Sequence, residues 1–308
     1  MGQARHRPPV PVAAVSTMTV KPVIHVGVDG SWRDTGALEW ALLESLLRHE
    51  PLQAVHVIED RPRHAPGWKA DVVDDSSLEL VGEVQKYLDE SPGSLDHVAD
   101  LVVGPPARTL TEVAAGSRML VVGRRGMGTF RRLLIGSTSE VVAANAQVPV
   151  VIVPEHWKPG DHSGPVLVAV DDSDNNQAII EFAIEAATER GLAVRLVHVW
   201  DLPAMYRWDA MNVAGVSAEW TENAERHFEN VTAEWRQKCP GLTIHADVRR
   251  GHPVEGVVTA ATGWDAQLLV VGTRRHSRLA SFLPGSVTRA VLHHATCPLA
   301  VVPAPTSS

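Results

Sequence analysis

The chain has 308 residues, of which 44% are hydrophobic and 21% charged, an ordered globular composition and a length that suits two domains. Its formal net charge of −8 speaks against a general nucleic-acid binder, which would carry a basic face. Two cysteines, Cys239 and Cys297, are too few for a disulfide framework or a four-thiolate zinc site and suit a reducing compartment.

Residues 1–20 (MGQARHRPPVPVAAVSTMTV) are rich in Pro and Ala and read as a disordered leader, with no apolar core long enough for a signal peptide. No apolar run later in the chain is long enough to span a bilayer, so a cytoplasmic protein without a membrane partner is expected. From residue 21 to 154 the pattern becomes regular. Short Val/Ile/Leu-rich runs near 23–28, 52–58, 97–103, 119–123 and 148–153 predict parallel strands covered on both faces. Amphipathic stretches lie between them; DTGALEWALLESLLRH places Leu38, Ala41, Leu42, Ser45 and Leu46 on one helical face. The acidic run DVVDDSSLEL reads as the lead-in to another helix, capped by Asp75 or Ser76. Residues 155–164 (EHWKPGDHSG) read as a linker, 165–303 as a second domain and 304–308 as a polar tail.

The second domain repeats the first. HVGVDGS from His25 is echoed by LVAVDDS from Leu167, pairing Asp29 with Asp171, and AVHV ending at Val57 is matched by LVHV ending at Val199, both 142 residues on. GPPA from Gly104 answers GHPV from Gly251 at a spacing of 147. LVVGRRGMGTFRRLLIGSTSEVVAANAQVPVVIVP from Leu120 is matched by LVVGTRRHSRLASFLPGSVTRAVLHHATCPLAVVP from Leu269, 149 residues on. The spacing changes only between elements, as it does when insertions fall in loops. The expected fold is therefore α/β, two tandem doubly wound Rossmann-like domains, each an open parallel five-stranded sheet. Pro149 and Pro298 begin the fifth strands and cannot donate to a ladder, so these strands should be sheet edges. Those edges offer a surface for pairing the two copies within the chain, or two chains as a homodimer.

Ligands of such sheets bind beyond the carboxyl ends of the strands, where Asp29 and Val57 end the first two. The loop after the fourth strand reads Gly123, two residues, Gly126, nine residues, Gly136, Ser137. Gly123 and Gly126 let the backbone pass close beneath a phosphate chain, and Gly136 and Ser137 open a helix whose free N–H groups favour an anion. Ser137, Thr138 and Ser139 add hydroxyls, and Arg124, Arg125, Arg131 and Arg132 add positive charge around the loop. Neither G-x-x-x-x-G-K-[ST] nor a G-x-G-x-x-G after the first strand is present.

VGVDGS, the Gly-x-x-Gly-(nine)-Gly-Ser loop and the closing VPVVIVP resemble a universal stress protein domain over nearly all of both copies. The resemblance implies ATP as ligand, with magnesium as a candidate companion, and a nucleotide-dependent stress-response switch with regulatory protein partners. By resemblance, Gly27, Val28 and Asp29 line the adenine and ribose side and Val57 packs the base. Val122, Gly123, Gly126, Gly136, Ser137, Thr138 and Ser139 take ribose and phosphates. In the second copy the corresponding positions are Val170, Asp171, Val199, Gly272, Gly285, Ser286, Val287 and Thr288, but Arg275 replaces the second glycine. An arginine there either blocks the phosphate path or clamps a phosphate itself.

Other readings of the residues compete. An ATP-dependent transferase or hydrolase of related fold would carry Ser-Gly-Gly-x-Asp-Ser after the first strand, where this chain has Asp-Gly-Ser-Trp. No nucleophile elbow or Cys-His pairing stands out, so at most a slow ATPase is expected. A nucleotide-independent interaction scaffold is the third reading. The 15 histidines show no metal-ligand spacing; His56 and His198, equivalent in the repeat, are expected to pack or hydrogen-bond. Trp208, Trp220 and Trp235 crowd the lengthened connection of the second copy and are expected in a core or an interface.

Overall fold

A computed structural model describes residues 21–59, 75–93, 95–126, 135–171, 176–201, 210–273 and 286–304. The predicted apolar runs form β1 (Ile24–Val28), β2 (Leu52–Ile58), β3 (His97–Val103), β4 (Met119–Gly123) and β5 (Val150–Val153) in the first copy. The second copy supplies β6 (Val166–Val170), β7 (Val194–Trp200), β8 (Ile244–Arg250), β9 (Leu268–Gly272) and β10 (Leu299–Val302). Between them run α1 (Trp32–Thr35), α2 (Ala37–Arg48), α3 (Asp75–Glu90), α4 (Pro106–Val113) and α5 (Ser137–Asn145). The second copy carries α6 (Gln177–Arg190), α7 (Ala210–Lys238), α8 (Pro253–Gly263) and α9 (Ser286–His294). α3 begins at Asp75 itself, so Asp75 and Ser76 lie inside its first turn.

All ten strands join one sheet in the order β3-β2-β1-β4-β5-β10-β9-β6-β7-β8. Every pairing is parallel except β5 with β10, which run antiparallel. Each fifth strand is thus the edge of its own half, as Pro149 and Pro298 suggested, yet neither is an edge of the chain. The first copy pairs with the second through these strands, and β3 and β8 form the outer edges. Ala300 stands opposite Val151, 149 positions earlier, while Leu299 faces Ile152 and Val301 faces Val150. A pseudo-twofold axis therefore passes through the Val151–Ala300 pair.

Two apolar layers cover the sheet and run unbroken across both copies. One packs Leu38, Trp40, Leu88, Ile180, Phe228 and Trp235 from α2, α3, α6 and α7. The other packs Leu110, Val142, Val257 and Leu292 from α4, α5, α8 and α9. This explains why the central strands lack alternation: both of their faces are buried, whereas the outer β3 and β8 are only partly covered. Trp235 lies in the first layer, whereas Trp220 is 40% exposed and rests against Trp200 at 6.0 Å between ring centroids. Trp208 lies outside the described residues.

The linker is anchored at both ends. Buried Trp157 packs against Gly36, and the His156 amide donates to the Asp34 carbonyl at 2.9 Å. Farther on, His162 and Ser163 bond the Asp265 carboxylate, and the Gly164 amide donates to the Asp265 carbonyl at 2.9 Å. Only the stretch from Lys158 to Asp161 is exposed throughout.

Polar residues line one row of the first half. Gln53 donates to Asp100 at 2.6 Å, and beside Gln53 on β1 stands His25, whose Nδ1 is buried without a partner. Burial holds the imidazole below its ordinary value, against the opposing pull of Gln53 and Asp100. Above about pH 6.5 folded and unfolded His25 are both neutral and nothing is lost. As pH falls below that value the unfolded chain takes up a proton that the fold resists, so stability declines. His25→Leu, which copies Leu167 of the second half, is expected to flatten the stability curve below about pH 6.5 in urea titrations at stepped pH.

Candidate functional site

The order of strands turns between β1 and β4 in the first half and between β6 and β9 in the second. The crevice beyond their carboxyl ends is where an α/β sheet receives a ligand. In the first half β1 ends in Asp29, whose Oδ1 accepts from the Ser31 amide at 2.9 Å and the Ser31 hydroxyl at 2.6 Å. The turn Asp-Gly-Ser thereby fixes the carboxylate at the crevice. His56 Nδ1 lies 2.9 Å from the Val28 carbonyl, locking the ends of β1 and β2 together. Gly27 is packed from beneath: a Cβ there would come within 3.1 Å of Leu110 Cδ1. Val28 and Val122 are buried and Val57 is half-buried.

The loop after β4 returns to this carboxylate. A Cβ on Gly126 would collide with Asp29 Oδ2 and lie 3.2 Å from its Cγ, so any other residue would push the carboxylate aside. Gly123 is confined in the same way by Thr35, whose Cβ would be 2.9 Å from the added carbon. The far end of the loop is tied back, because the Gly136 amide donates to the Arg124 carbonyl at 2.8 Å. α5 then starts at Ser137, and the amides of Ser137, Thr138 and Ser139 precede the first intrahelical bond, which Glu140 makes to Gly136 at 3.0 Å. Ser137 is exposed and Thr138 half-buried. Residues 127–134, including Arg131 and Arg132, lie outside the described residues.

Two expectations change. The Ser139 hydroxyl is buried and donates to the Gly123 carbonyl at 2.7 Å, so it braces β4 against α5. Arg124 and Arg125 are both engaged with protein groups. Arg124 Nη1 donates to the Ala295 carbonyl of the second half at 2.8 Å, and Arg125 pairs with Glu155 at 3.3 Å. Burial holds the Arg124 guanidinium below its ordinary value. The backbone amides that open α5 and the helix dipole add positive potential at the loop. Ser31 and Thr35 were not singled out in the sequence, although an Asx turn is legible in Asp-Gly-Ser. A neighbouring hollow of about 200 Å³ is lined by Gly30, Trp32, Ser76, Glu79, Leu80 and Glu83.

The second half repeats the framework. Val170 is buried, His198 Nδ1 lies 3.1 Å from its carbonyl, and the imidazole stacks on Phe228 at 4.5 Å. The Asp171 carbonyl accepts from Asn176 at 2.6 Å. Val199 is buried and so close to Gly256 that a Cβ there would fall 2.6 Å from its methyl. The buried Thr288 hydroxyl donates to the Gly272 carbonyl at 2.8 Å, as Ser139 does to Gly123. Ser286 opens α9 and Val287 is half-buried. Arg275 and Gly285 lie outside the described residues. Among the described residues no three His, Cys, Asp or Glu side chains gather to hold a metal ion, and no helix is long and apolar enough to cross a membrane.

Known proteins share this arrangement. The model of the universal stress protein family matches residues 22–154 and again 163–303. A universal stress protein of Mycolicibacterium smegmatis is 30% identical over 291 residues, covering 91% of this chain and 96% of its own. One from Mycobacterium tuberculosis is 29% identical over 286 residues, covering 90% and 95%. Among solved structures, a universal stress protein from Archaeoglobus fulgidus superposes with a TM-score of 0.61 at 17% identity, covering 91% of this chain and 98% of that one. A Pseudomonas aeruginosa structure described as a putative universal stress protein gives 0.65 at 15%, covering 92% and 94%; both likenesses concern the fold. Matched twice along its length and folded as two joined copies of one domain, the chain belongs to the universal stress protein family.

Proposed function

We propose that the first copy binds ATP and that the protein acts as a nucleotide-dependent regulator in the stress response. The observation that carries this reading is the contact of Gly126 with Asp29. It brings the bare backbone of one glycine to a carboxylate at the switch point, beside the amides that open α5. A loop of that kind suits a phosphate chain, while Asp29 suits a ribose hydroxyl or a magnesium ion carried by the nucleotide. The described residues supply no base–nucleophile pair, so turnover of ATP is expected to be slow, and occupancy of the loop is the signal. The second copy keeps Asp171, Val199 and the Thr288–Gly272 brace but carries Arg275, and it is expected to bind more weakly.

Equilibrium dialysis with labelled ATP tests the site. Gly126→Glu combined with Asp29→Ala is expected to raise the dissociation constant on the order of a hundredfold, equivalent to about 2.7 kcal/mol. The far-ultraviolet circular dichroism should stay unchanged. Undiminished binding by the folded double variant would defeat this assignment of the site.

A further inference from the structure

The first residues of the linker lie against the loop of the first copy. β4 and β5 run side by side with Gly123 beside Val153, and the Arg124 amide donates to the Val153 carbonyl at 2.7 Å. Two residues beyond that pair, the same register brings Arg125 of the loop to Glu155 of the linker. Both carboxylate oxygens face one nitrogen: Arg125 Nη1 stands 3.3 Å from Oε1 and 3.4 Å from Oε2. The carboxylate acts on Arg124 as well. Burial holds that guanidinium below its ordinary value; Glu155 opposes the effect, and Arg125 adds to it. One acid of the linker thus stands beside two adjacent arginines of the loop.

The acid is held in place by its own neighbours rather than by the arginine. His156 follows it in the left-handed conformation, with φ of 60°, which residues with a side chain seldom adopt. The His156 amide donates to the Asp34 carbonyl, and Trp157 is buried against Gly36. The ion pair, by contrast, is loose. Charge-assisted bonds between nitrogen and carboxylate usually close to about 2.7–2.9 Å, and these two side chains are 30% and 31% exposed. Arg125 is rooted at the mouth of the candidate site, since a Cβ on Gly136 would lie 3.6 Å from Arg125 Cα. A long side chain rooted there serves either Glu155 or an anion on the amides that open α5.

The second copy keeps the arginine and lacks the acid. Its β9–β10 register sets Gly272 beside Val302, and two residues further along the sequence stand Arg274 and Ala304. There the Ala304 amide donates to Thr273 Oγ1 at 3.2 Å, a bond without charge. The carboxylate therefore belongs to the linker and is no part of the frame that the two copies share.

We infer, on the reading that the first copy binds ATP, that Glu155 is a built-in competitor for the phosphate chain. Nucleotide fills the loop by drawing Arg125 away from the linker's carboxylate, so the linker raises the ATP concentration at which the first copy becomes occupied. The coupling is reciprocal: a filled loop releases the acid with which the linker begins. Occupancy of the first site is thereby written into the segment that joins it to the second copy.

Equilibrium dialysis of the full chain with labelled ATP tests this, read at the tighter class of sites. Glu155→Gln keeps the shape of a side chain that is already 31% exposed, and the fold should tolerate it. It should tighten ATP binding about two- to fivefold, the range of a partly exposed ion pair. Arg125→Ala should weaken binding, and adding Glu155→Gln to it should restore little, because no guanidinium is left to free. Wild-type protein that binds no ATP would overturn the reading of the site and the competition with it. ATP bound by the wild type, with no gain from Glu155→Gln, would overturn the competition alone. So would an equal gain on the Arg125→Ala background, since the acid would then act by general repulsion of the phosphates.

Discussion

Glu44→Gln is expected to cost about 3–5 kcal/mol, the penalty for breaking a buried ion pair from one side. The side chains of Glu44, Arg48 and Arg190 are 1%, 2% and 8% exposed, so neither guanidinium can turn to water when the charge is lost. Arg48 keeps Glu185 at 2.7 Å, and its Nη2 is already buried without a partner. Arg190 keeps the Ala186 carbonyl at 3.0 Å and the face of Trp40 at 5.6 Å. For Arg190, neither replaces a carboxylate. A loss of this size should lower the melting temperature by roughly 10 °C, measured by calorimetry. Removing the whole cluster is a different experiment: Glu44→Leu with Arg48→Met and Arg190→Met leaves no charge stranded and should cost far less. If the single and triple variants lost equal stability, the cluster would be acting through packing rather than charge.

The cluster also shows where reading the sequence stopped. The repeat, the succession of strands and helices within each copy, and the fifth-strand edges follow from local evidence: apolar runs, spacings of 142 and 149, and a proline at each edge. Pairing of Glu44 with Arg190, 146 positions away, follows from none of these. It requires the axis, and the axis depends on the antiparallel register of β5 on β10. Arg124 shows the same limit inside the candidate site. Its place between two loop glycines suggested a phosphate ligand, yet its guanidinium lies on the other copy. The glycines were legible because their spacing marks a backbone that passes close to its neighbours. Gly126 lies so close to Asp29 that a Cβ would displace the carboxylate from its present place. Ser139 sits between these cases: its position was anticipated, but its hydroxyl is committed to the Gly123 carbonyl, a bond repeated by Thr288 and therefore part of the domain's frame.

Gly36→Ala is expected to be nearly as damaging as loss of Glu44, and it reaches the site as well as the fold. Gly36 ends α1 and opens α2 with φ of 68°, a left-handed conformation that costs other residues about 1–2 kcal/mol. Its Cβ would also lie 3.0 Å from Trp157 Cβ and nearer still to the Trp157 carbonyl oxygen. Relief requires moving the linker and exposing a buried tryptophan, worth about 1.5–3 kcal/mol more. The expected total is about 2.5–5 kcal/mol, the sum of the two costs. Gly116→Ala separates them, since Gly116 has φ of 77° with nothing within 4 Å of an added Cβ; it should carry the backbone cost alone. Thr35, the neighbour of Gly36, is the residue that confines Gly123, so Gly36→Ala should also weaken ATP binding while Gly116→Ala leaves it unchanged. Equal losses of stability from the two variants in urea titration would mean that Trp157 yields readily and that the linker does not brace the loop.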